Sequence, residues 1–215
     1  MNKDDNSILN IHLNPEGILR IVLNNPKSHN TLSEKMISSL QQSLDDAASD
    51  EKVRVVIIAA EGSTFSAGHD LKEMRVGRIN PDKGKNYFSK IILQCSTLMQ
   101  SIVNNPKPII AEVYGTATAA GCQLVASCDL AYASVSARFA TPGVNIGLFC
   151  STPMVALSRS VANKHSMEML LTGEFISSNK AAQIGLINEN VKDELLQKYV
   201  LEKAIIISKK SKMTL

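Results

Sequence analysis

The sequence has no charge excess of either sign that would select a polyanionic partner. Lys and Arg total 23 and Asp and Glu total 20, which leaves a formal charge of +3. That surplus is too small to indicate a nucleic acid or a membrane as the main partner. The basic tail of Lys209, Lys210 and Lys212 is short, and we interpret it as a solvated helix end.

Cysteine is scarce, and its spacing excludes two classes of small protein. The four cysteines are Cys95, Cys122, Cys128 and Cys150. They show neither the paired CxxC spacing of a zinc site nor the density of a secreted disulfide scaffold, so we interpret them as reduced thiols. The histidines outside the loops described below, His12, His29 and His165, have no metal-ligand spacing, and no metal is expected.

No apolar run approaches the roughly 18 residues that a membrane-spanning helix needs. The start of the chain, residues 1–6, is acidic, where a mitochondrial presequence is rich in arginine. The last three residues, Met213-Thr-Leu, do not form a peroxisomal signal. These features predict a soluble cytoplasmic protein, with the mitochondrial matrix as the alternative.

Hydrophobic patterning predicts an α/β fold. The 215 residues, 44% of them hydrophobic, suffice for one domain with a small appendage. Residues 18–23 form a β-branched strand pattern, Thr31 and Glu34 fit a capping box for a helix over 32–48, and residues 53–60 form a buried strand pattern. A strand, a helix and a buried strand in that order predict a parallel βαβ unit.

The same order repeats further along the chain. Apolar residues at helical spacing precede the breakers Pro106 and Pro108, and strands are expected at 109–114 and 130–133, with a short helix ending near 126 between them. A polar loop is expected at 77–85. Beyond Pro153 the pattern predicts helices only, at 154–162, 167–171, 179–184 and 193–208. We therefore divide the chain into a core of residues 1–153 and a helical part of residues 154–215.

Two loops each place small residues between a strand and a helix. They are residues 65–74, Phe-Ser-Ala-Gly-His-Asp-Leu-Lys-Glu-Met, and residues 115–123, Gly-Thr-Ala-Thr-Ala-Ala-Gly-Cys-Gln. A helix start leaves backbone N–H groups without intrahelical partners, so two such starts could hold one oxygen as negative charge develops on it. Taken alone, each loop is more often a packing device than a site.

Four sequence blocks together resemble the crotonase superfamily, the enoyl-CoA hydratases and isomerases. The other two blocks are residues 25–32, Asn-Pro-Lys-Ser-His-Asn-Thr-Leu, and residues 139–147, Phe-Ala-Thr-Pro-Gly-Val-Asn-Ile-Gly. The resemblance extends over about residues 8–207. It implies a spiral of βαβ units with a helical C-terminal part, homotrimers or hexamers, and acyl-CoA thioester substrates in fatty acid metabolism. It implies no cofactor other than coenzyme A as part of the substrate.

The resemblance also implies where the site lies. The first oxyanion N–H falls on His69 and the second on Ala120, beside Gly121. Lys27 is either a phosphate contact or a solvated lysine. The backbone expected to contact CoA is Ala67, Gly68, His69, Asp70, Leu71 and Lys72.

The chain departs from the family where the hydratases carry two glutamates. Gln123 and Gly143 occupy those positions, and neither can accept a proton from water. Efficient hydration is therefore not expected, and isomerases that use the second glutamate are excluded. Glu112 interrupts an apolar strand and is the alternative acid or base, although its strand neighbours could equally face solvent or another subunit.

His69 and Cys150 suggest other chemistry. A histidine at the oxyanion turn is similar to the family's methylmalonyl-CoA decarboxylases, but their tyrosine falls near Cys150 here. Cys150 with Ser151 could act as a nucleophile, as in the family's hydrolases, and pocket lining is the favoured interpretation. Two hypotheses follow: a lyase, hydrolase or isomerase that forms an enolate, or a non-catalytic acyl-CoA-binding regulator. A scaffold unrelated to CoA is the third. Family members usually continue past residue 215, so the helical part is expected to be truncated.

Overall fold

The computed structural model describes residues 7–211 and Met213. The acidic start at residues 1–6, Lys212 of the basic tail, and residues 214 and 215 lie outside the described residues. The described strands are β1 (Leu9–Leu13), β2 (Ile18–Leu23), β3 (Val55–Ala60), β4 (Thr64–Ser66), β5 (Ile109–Val113), β6 (Thr116–Thr118), β7 (Leu130–Ser134), β8 (Arg138–Ala140), β9 (Ile176–Ser177) and β10 (Glu189–Val191). The described helices are α1 (Glu34–Ser49), α2 (Leu71–Gly77), α3 (Lys85–Val103), α4 (Ala120–Ser127), α5 (Ser151–Ser160), α6 (Asn163–Thr172), α7 (Ser178–Gln183) and α8 (Leu196–Ser208).

The strands alternate between two sheets, which produces a spiral. The larger sheet has the order β1-β2-β3-β5-β7-β10, and only the β1–β2 pair in it is antiparallel. The smaller sheet has the order β4-β6-β8-β9, and β8 and β9 pair antiparallel. Because β3, β5 and β7 are each followed by a strand of the smaller sheet, the chain makes successive turns of one spiral. The predicted α/β spiral of βαβ units is confirmed.

Both faces of the larger sheet are buried, which explains the nearly continuous apolar strand patterns. On β3, Val56 and Ile58 belong to the main apolar cluster beneath α1 and α3. Val55 and Ile57 point the other way and pack in a second cluster with Leu196 of α8. Helix α8 thus covers the face of the sheet opposite to that covered by α1, α3 and α4.

The predicted capping box at the start of α1 is wrong. Ser33 is the N-cap, and its hydroxyl accepts a hydrogen bond from the Met36 N–H at 3.2 Å. Thr31 instead donates to the Asp70 carboxylate at 3.2 Å. The reason is tertiary: Leu32 pairs in a short bridge with His69 of the first loop, so the helix begins only after it.

One further prediction needs correction. Helices alone were expected beyond Pro153, but β9 and β10 lie there, and each adds to the edge of a sheet begun earlier. The strand β1 was not predicted. The division at residue 153 stays a prediction, and Leu157 and Met169 of the later part belong to the same main apolar cluster as the sheet.

Candidate active site

The two small-residue loops lie against each other, and their glycines allow it. Gly68 has a φ of +84°, and a Cβ atom on it would come within 2.9 Å of the Ala119 Cβ and 3.1 Å of the Ala120 nitrogen. A Cβ on Gly121 would overlap the Ser66 carbonyl and lie 2.8 Å from the Ser66 Cβ. Glycine is therefore required at both positions for the backbones to approach this closely.

The first loop leaves the backbone N–H of His69 unused. Ala67 donates its N–H to the His29 carbonyl at 3.1 Å, and Gly68 donates to the Ser66 hydroxyl at 3.3 Å. Asp70 caps α2 by accepting from the Lys72 N–H at 2.8 Å and the Glu73 N–H at 3.2 Å. Between them, the His69 N–H donates to none of the described acceptors.

In the second loop, the backbone donor of Ala120 follows a strained residue, Ala119. Ala119 has a φ of 50° and a ψ of −121°, a conformation that costs a side-chain-bearing residue about 1–3 kcal/mol. Its own N–H is anchored to the Ala140 carbonyl at 3.0 Å. Ala120 begins α4, and its N–H has no acceptor among the described residues. Such strain is typical of functional sites.

A largely apolar cavity of about 520 Å³ lies at the meeting point of these loops. It is lined by Ala67, His69 and Leu71 of the first loop and by Ala120 of the second. Within the described part of the chain, the lining contains no Asp, Glu, Lys or Arg. His69 is thus the titratable nitrogen base that faces this cavity.

The His69 imidazole is buried, and neither ring nitrogen has a hydrogen-bond partner among the described residues. Burial lowers the pKa of His69, because desolvation disfavours the charged form. The nearby Leu32 backbone offsets this only partly, since it reaches no hydrogen bond of normal geometry with the ring. The neutral imidazole thus has buried, unpartnered ring nitrogens within a residue that lines the cavity.

The two positions that correspond to hydratase glutamates differ in their surroundings. Gln123 is 5% exposed and lines a neighbouring cavity, where its Oε1 has no described partner. A Cβ on Gly143 would overlap the Leu148 carbonyl and lie 2.8 Å from the Cys150 Sγ. The space of the second side chain is therefore filled by the chain itself.

The structure does not bring Glu112 to the site. Its carboxylate forms a bidentate ion pair with Arg20, with 2.7 Å between Nη2 and Oε1. On β5, Glu112 lies two residues after Ile110, so both side chains point to the same face of the sheet. Ile110 packs in the cluster beneath α8. Glu112 therefore points to the face of the sheet opposite α3 and α4, and its predicted role as acid or base is corrected to that of a structural ion-pair partner.

Cys150 lines the cavity, as predicted, and burial raises the pKa of its thiol. A protonated thiol is a poor nucleophile. Burial also raises the pKa of Cys122, on α4, to about 12. The structure thus favours the lining role for Cys150.

Lys27 lies at the surface, in a groove of about 560 Å³ that Lys35, Asp70 and Glu73 also line. The groove adjoins the N-terminal end of α2 and so lies beside the first loop. It contains cationic and anionic side chains, and its location is compatible with a phosphate contact or a solvated lysine.

Sequence reasoning missed several residues that shape the site. Asn30 is fully buried, accepts from the Asn25 N–H at 2.8 Å, and donates to the Thr64 and Glu61 carbonyls at 2.7 Å and 2.9 Å. It ties the first sequence block to the loop that carries His69. Ile92 and Phe149 line the cavity, but no sequence signal distinguishes them from ordinary apolar residues.

Neither a bilayer-spanning helix nor a metal-binding cluster occurs among the described residues. No described helix has the length and hydropathy needed to span a bilayer. No cluster of three or more His, Cys, Asp or Glu side chains suited to a metal ion occurs within residues 7–211 or at Met213.

Comparisons with known proteins agree with the fold. The model of the family described as enoyl-CoA hydratase/isomerase matches residues 14–215. A Mycobacterium smegmatis enoyl-CoA hydratase structure superposes with a TM-score of 0.91 at 45% identity, covering 96% of this chain and 78% of that one. Human enoyl-CoA hydratase domain-containing protein 3 superposes with a TM-score of 0.89 at 47% identity, covering 96% and 79%.

The sequence of residues 66–71 and 119–123 also resembles that of enoyl-CoA hydratase domain-containing protein 3. Curated relatives confirm the likeness to that protein. The mitochondrial protein of that name from Xenopus laevis is 53% identical over 181 residues, which cover 84% of this chain and 60% of the relative. The human protein is 50% identical over 182 residues, which cover 85% and 58%. The chain thus spans about three fifths of the length of these relatives.

Proposed function

Since this chain belongs to the enoyl-CoA hydratase/isomerase family, we propose that it binds an acyl-CoA thioester and holds the thioester oxygen between the N–H groups of His69 and Ala120. The observation that carries the proposal is that these two donors lack described acceptors and that both residues line one apolar cavity. Backbone N–H groups at a helix start have no intrahelical acceptor, so they are available to bind a ligand oxygen.

This oxyanion hole would stabilise an enolate or a tetrahedral oxyanion. Donors fixed in a water-poor cavity stabilise developing charge without reorganising, and the loss of one such donor typically lowers a rate about 100-fold to 1000-fold. Ala67, Gly68, Asp70, Leu71, Lys72 and Gly121 are the proposed backbone contacts of CoA, and Lys27 is a proposed phosphate contact. Support comes from Ala67 and Leu71 on the cavity wall and from the groove beside Lys27.

The proposed chemistry is not standard hydration. Gln123 cannot act as a base, Gly143 has no side chain, and Glu112 is paired on the other face of the sheet. His69 is the titratable nitrogen base among the described residues that line the cavity, and its lowered pKa keeps the imidazole neutral. Decarboxylation, thioester hydrolysis and a His69-assisted isomerisation fit this set of groups.

A second candidate function is non-catalytic acyl-CoA binding in the regulation of fatty acid metabolism. It is favoured by the described lining of the cavity, which lacks a carboxylate of the kind that water activation requires. The oxyanion hole would then serve as a recognition device for the thioester carbonyl.

The proposed location is the mitochondrial matrix, because several similar relatives are named as mitochondrial. The cytoplasmic location predicted from the sequence has no support among them. A homotrimer or hexamer is the proposed assembly. Val76, Ile79 and Leu93, exposed apolar residues of α2, α3 and the loop between them, are available for such contacts.

The test is a calorimetric titration with CoA, acetyl-CoA and methylmalonyl-CoA, followed by mass spectrometry of each thioester after incubation. His69→Ala is the test variant, and His12→Ala is the control because His12 is exposed and far along the chain from the loops. Conversion that His69→Ala abolishes supports the enzyme. Binding without conversion supports the regulator, and no binding of any thioester contradicts both.

A further inference from the structure

A second cavity of about 440 Å³ continues the candidate site along three helices. On each helix, one residue lines the first cavity and the residue one turn further along lines the second. The three pairs are Ile92 and Ser96 on α3, Ala120 and Gln123 on α4, and Thr152 and Val155 on α5. Thr152 lines both cavities, so α5 leads directly from one to the other.

The walls of the second cavity carry both apolar and polar side chains. Met99, Val103 and Ala156 supply apolar surface from α3 and α5. Gln123 lies on the wall formed by α4, with its Oε1 buried and without a described partner. A buried amide oxygen without a partner is unusual in a packed core.

A single charged side chain, Arg159, lies among the described residues that line this cavity. It is exposed, and its guanidinium forms no ion pair with a described residue. Arg159 lies seven residues after Thr152 on α5, which is two turns or about 10.5 Å along the helix. A guanidinium is well suited to bidentate recognition of a carboxylate.

We propose that the second cavity receives the chain of a medium-length acyl-CoA whose far end carries a carboxylate, which pairs with Arg159. The distance from Thr152 to Arg159 corresponds to about eight or nine single bonds, because three bonds of an extended chain span about 3.5 Å. Nine bonds join ten carbons, so a thioester of a dicarboxylic acid with about ten to twelve carbons has the length to reach Arg159. This inference rests on the proposed binding of the thioester at His69 and Ala120, and deepens it by naming the acyl class.

The experiment compares acetyl-CoA, dodecanoyl-CoA and dodecanedioyl-CoA by calorimetry in the full chain. The wild type should bind dodecanedioyl-CoA about fivefold to tenfold more tightly than dodecanoyl-CoA, the effect of one partly exposed charge-assisted pair. Arg159→Met should abolish this difference and leave acetyl-CoA and dodecanoyl-CoA unchanged. Lys164→Met, which removes an exposed cation on α6 outside the cavity lining, is the matched control and should keep the difference.

A second variant tests the path of the chain. Val155 is exposed on the cavity wall, so Val155→Trp should fill the cavity without disturbing the core. It should weaken both long thioesters and leave acetyl-CoA unchanged, whereas Ser158→Trp, on an exposed position outside the lining, should change none. Equal binding of the two long thioesters with normal acetyl-CoA binding would overturn this inference alone. If the wild type does not bind acetyl-CoA, the proposed function is overturned as well.

Discussion

The Glu112 carboxylate and the Arg20 guanidinium form a bidentate ion pair across the larger sheet, on the face covered by α8. The Glu112 side chain is 8% exposed and the Arg20 side chain 24% exposed. Glu112 stands out in the sequence because it is a charged residue within an apolar strand. Its pairing with Arg20 of β2 explains why a charged residue is found there. The ion pair therefore contributes to stability and takes no part in chemistry at the cavity.

We expect Glu112→Ala to lower the free energy of unfolding by about 2 kcal/mol, because it leaves Arg20 unpaired in a partly buried place. The value is below that of a fully buried pair because Arg20 reaches solvent. Urea denaturation measures the change. The double variant Arg20→Leu with Glu112→Leu should recover part of the loss, and acetyl-CoA binding should be unchanged in both. Lost binding at unchanged stability would return Glu112 to the site.

Gly68→Ala tests the close approach of the two loops. We expect it to lower the free energy of unfolding by about 2–4 kcal/mol, because a positive φ and an overlap with Ala119 add together. Gly147→Ala is the matched control: its φ is +75°, but a Cβ atom there meets nothing within 4 Å. The control should lose only about 1 kcal/mol. Thermal unfolding compares the two, and equal losses would contradict the packing argument.

Restoring the family's glutamates should not restore hydration. Gly143→Glu needs space that the Leu148 carbonyl and the Cys150 thiol occupy, so we expect a loss of about 1–3 kcal/mol in stability. Gln123→Glu is nearly isosteric and should fold normally. Neither variant, nor the two together, should hydrate crotonyl-CoA at a rate typical of hydratases. The rate of hydration is measured as the loss of the enoyl absorbance. Rapid hydration by the double variant would contradict the prediction and show that the loop carrying Leu148 and Cys150 moves aside.

The stability should depend on pH through His69. Burial lowers its pKa in the folded state, so the unfolded chain binds more protons at low pH. The stabilising contribution is fully present above the unfolded value of about 6.5 and is lost as pH falls from there through the lower folded pKa. We expect His69→Gln to reduce the slope of unfolding free energy against pH in this window. Urea midpoints between about pH 5 and 8 check this. An unchanged slope in His69→Gln would contradict the assignment.

Much of the fold could be predicted because buried helices and strands have strong periodicity. The helix predicted at 32–48 is observed as Glu34–Ser49, and the strand predicted at 109–114 is observed as Ile109–Val113. Short edge strands such as β9 and β10 escaped, because they contain two or three residues and exist only by pairing with distant strands. The wrong cap of α1 has the same origin, since the bridge between Leu32 and His69 overrides the local pattern.

The loops of the site could be located from the sequence, but not their surroundings. Gly68 and Gly121 stand out between a strand and a helix, which is why the oxyanion geometry could be expected. The ion pair of Glu112 with Arg20 joins residues 92 positions apart, and no local pattern reveals such a pair. The continuation of the cavity past Thr152 depends on how three helices pack, which residue type alone does not determine.

Isotope-edited infrared spectroscopy of acetyl-CoA labelled at its thioester carbonyl tests the central claim most directly. Two N–H donors would polarise the bound carbonyl, so its stretching band should move to lower frequency in the wild type relative to free acetyl-CoA. A bound acetyl-CoA whose carbonyl band stays at its solution position would contradict an oxyanion hole formed by His69 and Ala120.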